Sequence, residues 1–197
     1  MPRIDADTLA EHRSQQRTAL LDAAEELLLA GGWEALDFRA LGARTGLRRN
    51  SIYRYFSSRD QLVAELCERG MPAWLADIDE AIDAAGRSPE AAADAYVRVQ
   101  LEMVAAGRHR LAQALAHAPL TAETLAAIHA LPARAAARLE AALEARGHPR
   151  PRLAAQLTTG LLNGAIQLLH DDGGAAAEAT AIAAAAARRA VEEAARP

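Results

Sequence analysis

The chain has 197 residues, 51% of them hydrophobic, so it can bury a core and does not have the composition of a disordered protein. Alanine is abundant and aromatic residues make up only 4%, which favours an all-α fold. The net charge of -4 argues against a uniformly basic nucleic-acid-binding protein. The single cysteine excludes both an intramolecular disulfide and a cysteine-based zinc site.

The first predicted helix is identified by its apolar spacing. Apolar residues recur on one helical face between Leu20 and Leu28. Gly31 and Gly32 should end this helix, because glycine adopts the left-handed conformation that follows many helix C-termini.

Two short helices are predicted next. Asp37 can cap the N-terminus of a helix that extends to Thr45, and Gly46 can form the turn after it. A third helix should then extend to about Phe56.

Capping signals place the following two helices. The capping box at residues 58–61 begins a long fourth helix that ends at Gly86, and Pro72 should kink or restart it. The Ser-Pro-Glu sequence at 88–90 begins a helix that extends to about Ala106.

The remainder of the chain is also predicted to be helical. Shorter helices should be interrupted near Gly107, Pro119 and Pro132. Two long helices follow, at 152–170 and 175–195, with a turn between them. Because no segment alternates apolar and polar residues as a strand does, the sequence predicts an all-α protein of about nine helices.

The segment between Asp37 and Gln61 has the spacing of a helix-turn-helix motif. Its apolar residues are spaced to face inward: Leu41, Leu47, Ile52 and Phe56. Between Asp37 and Arg59 there are six arginines and one acid, a local charge of +5 in an otherwise acidic chain. The outer side of the third helix carries residues able to contact bases and phosphates: Arg48, Arg49, Asn50, Ser51, Tyr53 and Arg54. A solvated charged face is the alternative interpretation.

The run from Gly46 to Leu62, G-L-R-R-N-S-I-Y-R-Y-F-S-S-R-D-Q-L, resembles the signature of the TetR family. The resemblance covers roughly residues 15–65. It implies a DNA-binding domain at 1–62 and a helical regulatory domain, for ligand binding and dimerisation, at 63–197. The protein would then be a regulator, most simply a repressor, that binds a near-palindromic operator as a homodimer and is released by a small molecule.

The resemblance also assigns individual residues. Tyr53, Tyr55 and Arg59 would hold DNA phosphates, although Tyr55 could equally pack inward. The residues that would reach base edges are Arg48, Arg49, Asn50 and Ser51. Arg39 and Arg54 complete the predicted DNA-contacting set.

Three positions depart from the family pattern. Arg48 replaces the usual capping serine or threonine, and Arg59 replaces the usual lysine. Gly42 replaces a usual alanine, which should cost about 1 kcal/mol of helix propensity.

The second half of the chain offers weaker signals. Six residues are candidates for an effector pocket, and each is also compatible with ordinary packing: Trp74, Tyr96, Met103, His117, Asn163 and Gln167. Small residues in the last two helices predict close helix approach, either within the chain or across a dimer interface. The predicted interface residues are Gly160, Gly164, Ile182 and Ala186.

The sequence lacks the usual motifs of an enzyme. The six histidines show no metal-binding spacing, and neither a Gly-x-Ser-x-Gly elbow nor a glycine-rich phosphate loop occurs. We therefore expect a cytoplasmic, non-enzymatic protein with no metal, cofactor or membrane partner. Two alternatives remain open: an all-α enzyme or small-molecule carrier whose basic helix is structural, and a nonspecific architectural DNA-binding protein.

Overall fold

The computed structural model describes residues 6–108, 110–115, 117–171 and 176–196. Within these ranges the chain forms nine helices and no strand, which confirms the predicted all-α fold. The helices are α1 (Ala6–Ala35), α2 (Phe38–Thr45), α3 (Arg49–Ile52), α4 (Arg59–Ala84), α5 (Pro89–Ala105), α6 (Arg110–Leu115), α7 (Ala122–Ala145), α8 (Pro151–Asp171) and α9 (Ala176–Ala195).

Several helix ends follow the predicted local signals. Ser88 caps α5, because its side chain accepts a hydrogen bond from the N–H of Ala91, and a proline occupies the first turn. The backbone leaves the helical region at Gly31 and Gly32, and a single turn then completes α1.

Two predicted helix ends differ from the structure. Pro132 does not interrupt α7, whose C-terminal half buries Ala135, Leu139 and Leu143. This burial offsets the hydrogen bond that the proline ring removes. Helix α3 ends at Ile52 rather than near Phe56, since the hydrogen bonds after it tighten into turns. The turn predicted between the last two helices lies outside the described residues.

The chain forms two compact units. The N-terminal unit contains the chain up to Arg69 together with Arg110–Ile128. The predicted boundary at residue 62 falls within α4, and Val63 and Leu66 just after it are buried in the core of this unit. The contribution of Arg110–Ile128 was also not predicted. Leu115 brings this segment into the same core.

The C-terminal unit is built around α5, α8 and α9, which pack against one another. Alanines fill much of its core and allow the helices to approach closely. Larger side chains complete the core, among them Ile78, Tyr96, Leu101, Leu139 and Val191.

Candidate nucleic-acid interface

Helix α2 is fixed at its N-terminus by Asp37. The backbone of Asp37 is extended, and its Oδ1 accepts hydrogen bonds from the N–H groups of Arg39 and Ala40, both at 2.7 Å. These hydrogen bonds lower the pKa of the Asp37 carboxyl below its usual value, and the bond from the N–H of Ala40 has the largest effect. Phe38 and Leu41 then face the core, so Arg39 is left exposed on the opposite side.

The turn between α2 and α3 depends on two glycines. Gly46 has φ +72°, the left-handed conformation that favours glycine. Gly42 lies so close to the turn that an added Cβ would stand 2.7 Å from the carbonyl oxygen of Leu47. The glycine at position 42, where the family pattern has alanine, therefore has a steric reason that helix propensity alone does not predict.

Helix α3 presents a cationic surface. Ile52 and Phe56 are fully buried, while Arg48, Asn50 and Arg54 are exposed. Among the described residues, no carboxylate forms a salt bridge with Arg48, Arg49 or Arg54. Arg48 precedes the helix and makes no side-chain capping bond, as expected from the loss of the usual serine or threonine. Ser51 is partly exposed.

Tyr53 and Arg49 form a pair beside α3. Tyr53 is 44% exposed, and its ring forms an edge-to-face pair with that of Phe38, with 4.8 Å between ring centroids. Arg49 Nη2 donates a hydrogen bond to the Tyr53 hydroxyl at 3.2 Å. The structure thus brings Arg49 together with a predicted phosphate-contacting residue.

Tyr55 faces inward. Its hydroxyl donates to Gln16 Oε1 on α1 at 3.1 Å, and its ring packs against the core. Of the two alternatives for Tyr55, the structure shows the packing one.

Arg17 was not singled out from the sequence. Its guanidinium forms a bidentate pair with Glu65 on α4 and donates to the carbonyl of Tyr55 at 3.3 Å. It also lies 4.8 Å from the centroid of the Phe56 ring. The pair with Glu65 raises the pKa of Arg17. Arg17 therefore ties α1 and α4 to the segment that follows α3.

Arg59 is held at the start of α4. Its guanidinium carbon lies 4.2 Å from the centroid of the Trp33 ring, and its Nη1 donates to the carbonyl of Leu36 at 2.9 Å. Arg59 also borders a surface cleft of about 330 Å³, which is lined by Asp37, Phe38, Arg49, Tyr53, Ser57, Ser58 and Arg59. Two arginines and three hydroxyl groups make this cleft suited to an anion.

The predicted pocket residues do not form one group. Tyr96 and Met103 are buried on α5, and burial raises the pKa of Tyr96. Trp74 is partly buried, and its Nε1 has no hydrogen-bond partner among the described residues. The remaining three side chains are exposed: His117, which belongs to the N-terminal unit, and Asn163 and Gln167 on α8.

The predicted interface residues lie on exposed faces of α8 and α9. Gly160 and Gly164 have open space where a Cβ would stand. Ile182 on α9 is 61% exposed, and Ala186 is partly buried. An apolar stripe runs along α8 beside the two glycines and consists of the exposed residues Leu153, Leu157, Leu161 and Leu168. These leucines were not among the predicted interface residues, although their spacing is helical.

The described residues provide neither a metal site nor a membrane-spanning helix. Across the described residues, no group of three His, Cys, Asp or Glu side chains could hold a metal ion. Among the described helices, none has both the length and the apolar character that crossing a membrane requires.

Comparison with known proteins decides the nature of the N-terminal domain. Residues 20–66 match the family model described as bacterial regulatory proteins, tetR family. Over this segment the chain is similar to bacterial regulators of the tetR family. The match begins within α1 and ends within α4, so it contains both helices of the helix-turn-helix motif.

Individual regulators match part of the chain in sequence. The transcriptional repressor KstR of Rhodococcus jostii (strain RHA1) is 30% identical over 83 residues, which cover 42% of this chain and 35% of KstR. The chain spans about a third of the length of the curated relatives it matches.

Solved structures extend the likeness in fold to most of the chain. FadR of Bacillus subtilis, in complex with stearoyl-CoA, is 17% identical with a TM-score of 0.65, over 90% of this chain and 96% of FadR. Reduced NemR of E. coli is 23% identical with a TM-score of 0.68, over 86% and 94% of the two chains. At these identities the comparison shows the fold.

Proposed function

We propose that the protein is a TetR-type transcriptional repressor. In this proposal a homodimer binds a near-palindromic DNA operator and is released when a small molecule binds its C-terminal unit. The observation that carries the proposal is the outer surface of α3. There the exposed arginines form no salt bridge within the described part of the chain, Asn50 is exposed, and Ile52 and Phe56 fix the segment from the buried side.

The contacts with DNA divide into two groups. Arg48, Asn50 and Ser51 lie at the start of α3 and point away from the core, where helix-turn-helix proteins read base edges. Arg49 is paired with Tyr53 at the phosphate-suited cleft, so we assign it to the DNA backbone. Arg39 and Arg54 are exposed and add positive charge beside the two groups.

The exposed stripe of α8 supports dimerisation. Leucines at 38–64% exposure, with Ile182 at 61%, form an apolar surface that is costly to leave in water. A second copy related by two-fold symmetry would cover it and would provide the second reading helix that a near-palindromic operator requires.

An effector in the C-terminal unit is supported by its buried polar groups. The indole N–H of Trp74 and the hydroxyl of Thr158 are buried without a partner among the described residues. A bound molecule with a polar group could satisfy such atoms. The FadR structure with stearoyl-CoA shows that a protein of this fold can be crystallised with a lipid-like ligand.

A salt titration tests DNA binding directly. The dimer should bind mixed-sequence duplex with a log–log salt slope of roughly -4 to -8, because several phosphates would be neutralised in each half-site. Replacing both Arg49 and Arg59 with alanine should flatten this slope. Arg152→Ala is the matched control, because it removes an exposed arginine of α8 and should leave the salt slope unchanged. A slope near zero for the unmodified protein would rule out a DNA-binding function.

A further inference from the structure

We propose that Trp33, which is buried and cannot itself reach DNA, positions Arg59 to bind a backbone phosphate in the cleft beside α3. This inference rests on the proposed function, since it assigns a role within DNA binding. Trp33 is 7% exposed, and it follows the two glycines that interrupt α1.

The geometry fixes the guanidinium from two sides. The ring face of Trp33 lies 4.2 Å from the guanidinium carbon of Arg59, and the carbonyl of Leu36 accepts one of its N–H groups at 2.9 Å. Arginine has five N–H donors, and within the described part of the chain this carbonyl is the hydrogen-bond partner of Arg59. Donors therefore remain available on the side that borders the cleft.

A positioned arginine binds a phosphate more strongly than a mobile one. A free side chain loses rotational freedom when it binds, whereas Arg59 has already lost it on folding. The planar guanidinium can also engage two phosphate oxygens at once, which an ammonium group cannot do in the same geometry. The usual lysine at this position of the family would lack the planar group that stacks on the indole ring.

The surroundings of Arg59 suit a phosphodiester. Ser57 and Ser58 line the same cleft, and Arg49 adds a second guanidinium. The Ser57 hydroxyl already donates to Gln61 Oε1, whereas the Ser58 hydroxyl accepts from the N–H of Gln61 and keeps its own proton to donate. Asp37 is the acid at this site, and its Oδ1 is engaged by two backbone N–H groups of α2. The cleft thus offers guanidinium and hydroxyl groups from two segments of the chain, residues 49–53 and 57–59.

The first test keeps Trp33 and changes its partner. Arg59→Lys retains the charge and loses the stacked, planar geometry. DNA affinity should fall about threefold per half-site, hence about tenfold for a dimer, if the stacking is worth what a cation–π contact usually contributes. The salt slope should stay unchanged because the charge is kept. Unchanged affinity for Arg59→Lys would overturn the proposal.

The second test is a double-mutant cycle on the same duplex, with folding checked by circular dichroism. Trp33→Leu should weaken DNA binding when Arg59 is present and should have no further effect in the Arg59→Ala background. Trp33→Phe retains an aromatic face and should restore most of the binding. Additive losses would show that Trp33 acts only through packing, and would overturn the proposal.

The outcomes also separate this inference from the proposed function. If the unmodified protein binds DNA and Arg59→Ala binds equally well, Arg59 holds no phosphate and only this inference fails. If the unmodified protein binds no DNA at any salt concentration, the proposed function itself fails.

Discussion

Arg17 shows how one side chain can hold the reading surface in place. From α1 it bonds to the carbonyl of Tyr55, 38 positions later in the sequence, and to Glu65 on α4, 48 positions later. Its guanidinium also covers the ring of Phe56, the residue that anchors the segment after α3. Losing this side chain should loosen the packing behind the reading surface.

Arg17→Met keeps an aliphatic stem and removes the charge. We expect it to lower the free energy of unfolding by about 1–2 kcal/mol, because a bidentate pair, a carbonyl hydrogen bond and a cation–π contact are lost from a partly exposed site. Arg44→Met is the matched control, since Arg44 pairs with the exposed Glu26 and should lose less than about 0.5 kcal/mol. Urea denaturation measures both, and equal losses would contradict the role assigned to Arg17.

Asp37 makes the stability of α2 depend on pH. The folded-state pKa is lowered, so its contribution is complete above the usual carboxyl pKa near 3.8 and is lost as the pH falls through the folded value. Asp37→Ala should cost about 1 kcal/mol at pH 7, and Asp37→Asn should cost less because asparagine also caps helices. Urea denaturation should show the difference between Asp and Asn disappearing as the pH falls below about 3.8. A difference that stays constant from pH 7 to pH 3 would contradict this account.

At the scale of elements, the short α2 and α3 are defined by the turn between them. Gly46 provides the left-handed residue, and Gly42 provides the space in which the carbonyl of Leu47 approaches α2. Helix propensity alone predicts that alanine at position 42 would be stabilising, by about 1 kcal/mol. The contact predicts the opposite, because backbone atoms cannot move aside as flexible side chains do.

Gly42→Ala tests which effect is larger. A Cβ 2.7 Å from a carbonyl oxygen must displace the turn, so we expect a lower melting temperature and weaker DNA binding. Gly70→Ala on α4 is the control, since a Cβ there meets no atom within 4 Å, and it should stabilise the protein by up to about 1 kcal/mol. Equal stabilisation by both substitutions would contradict the close approach at Gly42.

Local signals were sufficient to predict much of the fold. Asp37 and Ser88 act through hydrogen bonds to their own helices, so the sequence alone places the start of α2 and α5. Long-range packing was not predictable in this way. The inward orientation of Tyr55 depends on Gln16, and the continuity of α7 through Pro132 depends on the burial of its C-terminal half.

The site was predictable to a similar degree. The helical spacing of residues in α3 was enough to predict which arginines are exposed, because the face of a short helix depends on nearby sequence. The pairing of Arg49 with Tyr53 and the stacking of Arg59 on Trp33 required the folded arrangement. The pocket candidates were chosen by residue type, and Asn163 and Gln167 proved to be exposed on α8.

For the whole molecule, we predict a homodimer through the stripe of α8 and Ile182 on α9. Gly160→Leu and Gly164→Leu together should produce a monomer without unfolding it, since both positions face open space within the chain. Gly70→Leu is the control, because it adds the same side chain to an open helical position outside the stripe. Sedimentation velocity at micromolar concentration measures the mass. A monomeric unmodified protein, or a dimer that tolerates both leucines, would contradict this interface.

Sequence-specific DNA recognition through α3 is the central claim, and selection from a random pool of duplexes tests it most directly. Sequencing of the retained DNA should reveal one near-palindromic sequence with half-sites about 10–10.5 base pairs apart, or a multiple of that spacing. Asn50→Ala should relax the preference at a single base pair in each half-site, at a cost of about 1–3 kcal/mol per half-site. Two results would contradict the assignment of α3 as the reading helix. One is that the protein retains DNA with no enriched sequence. The other is that Asn50→Ala and Arg48→Ala each select the same sequence as the unmodified protein.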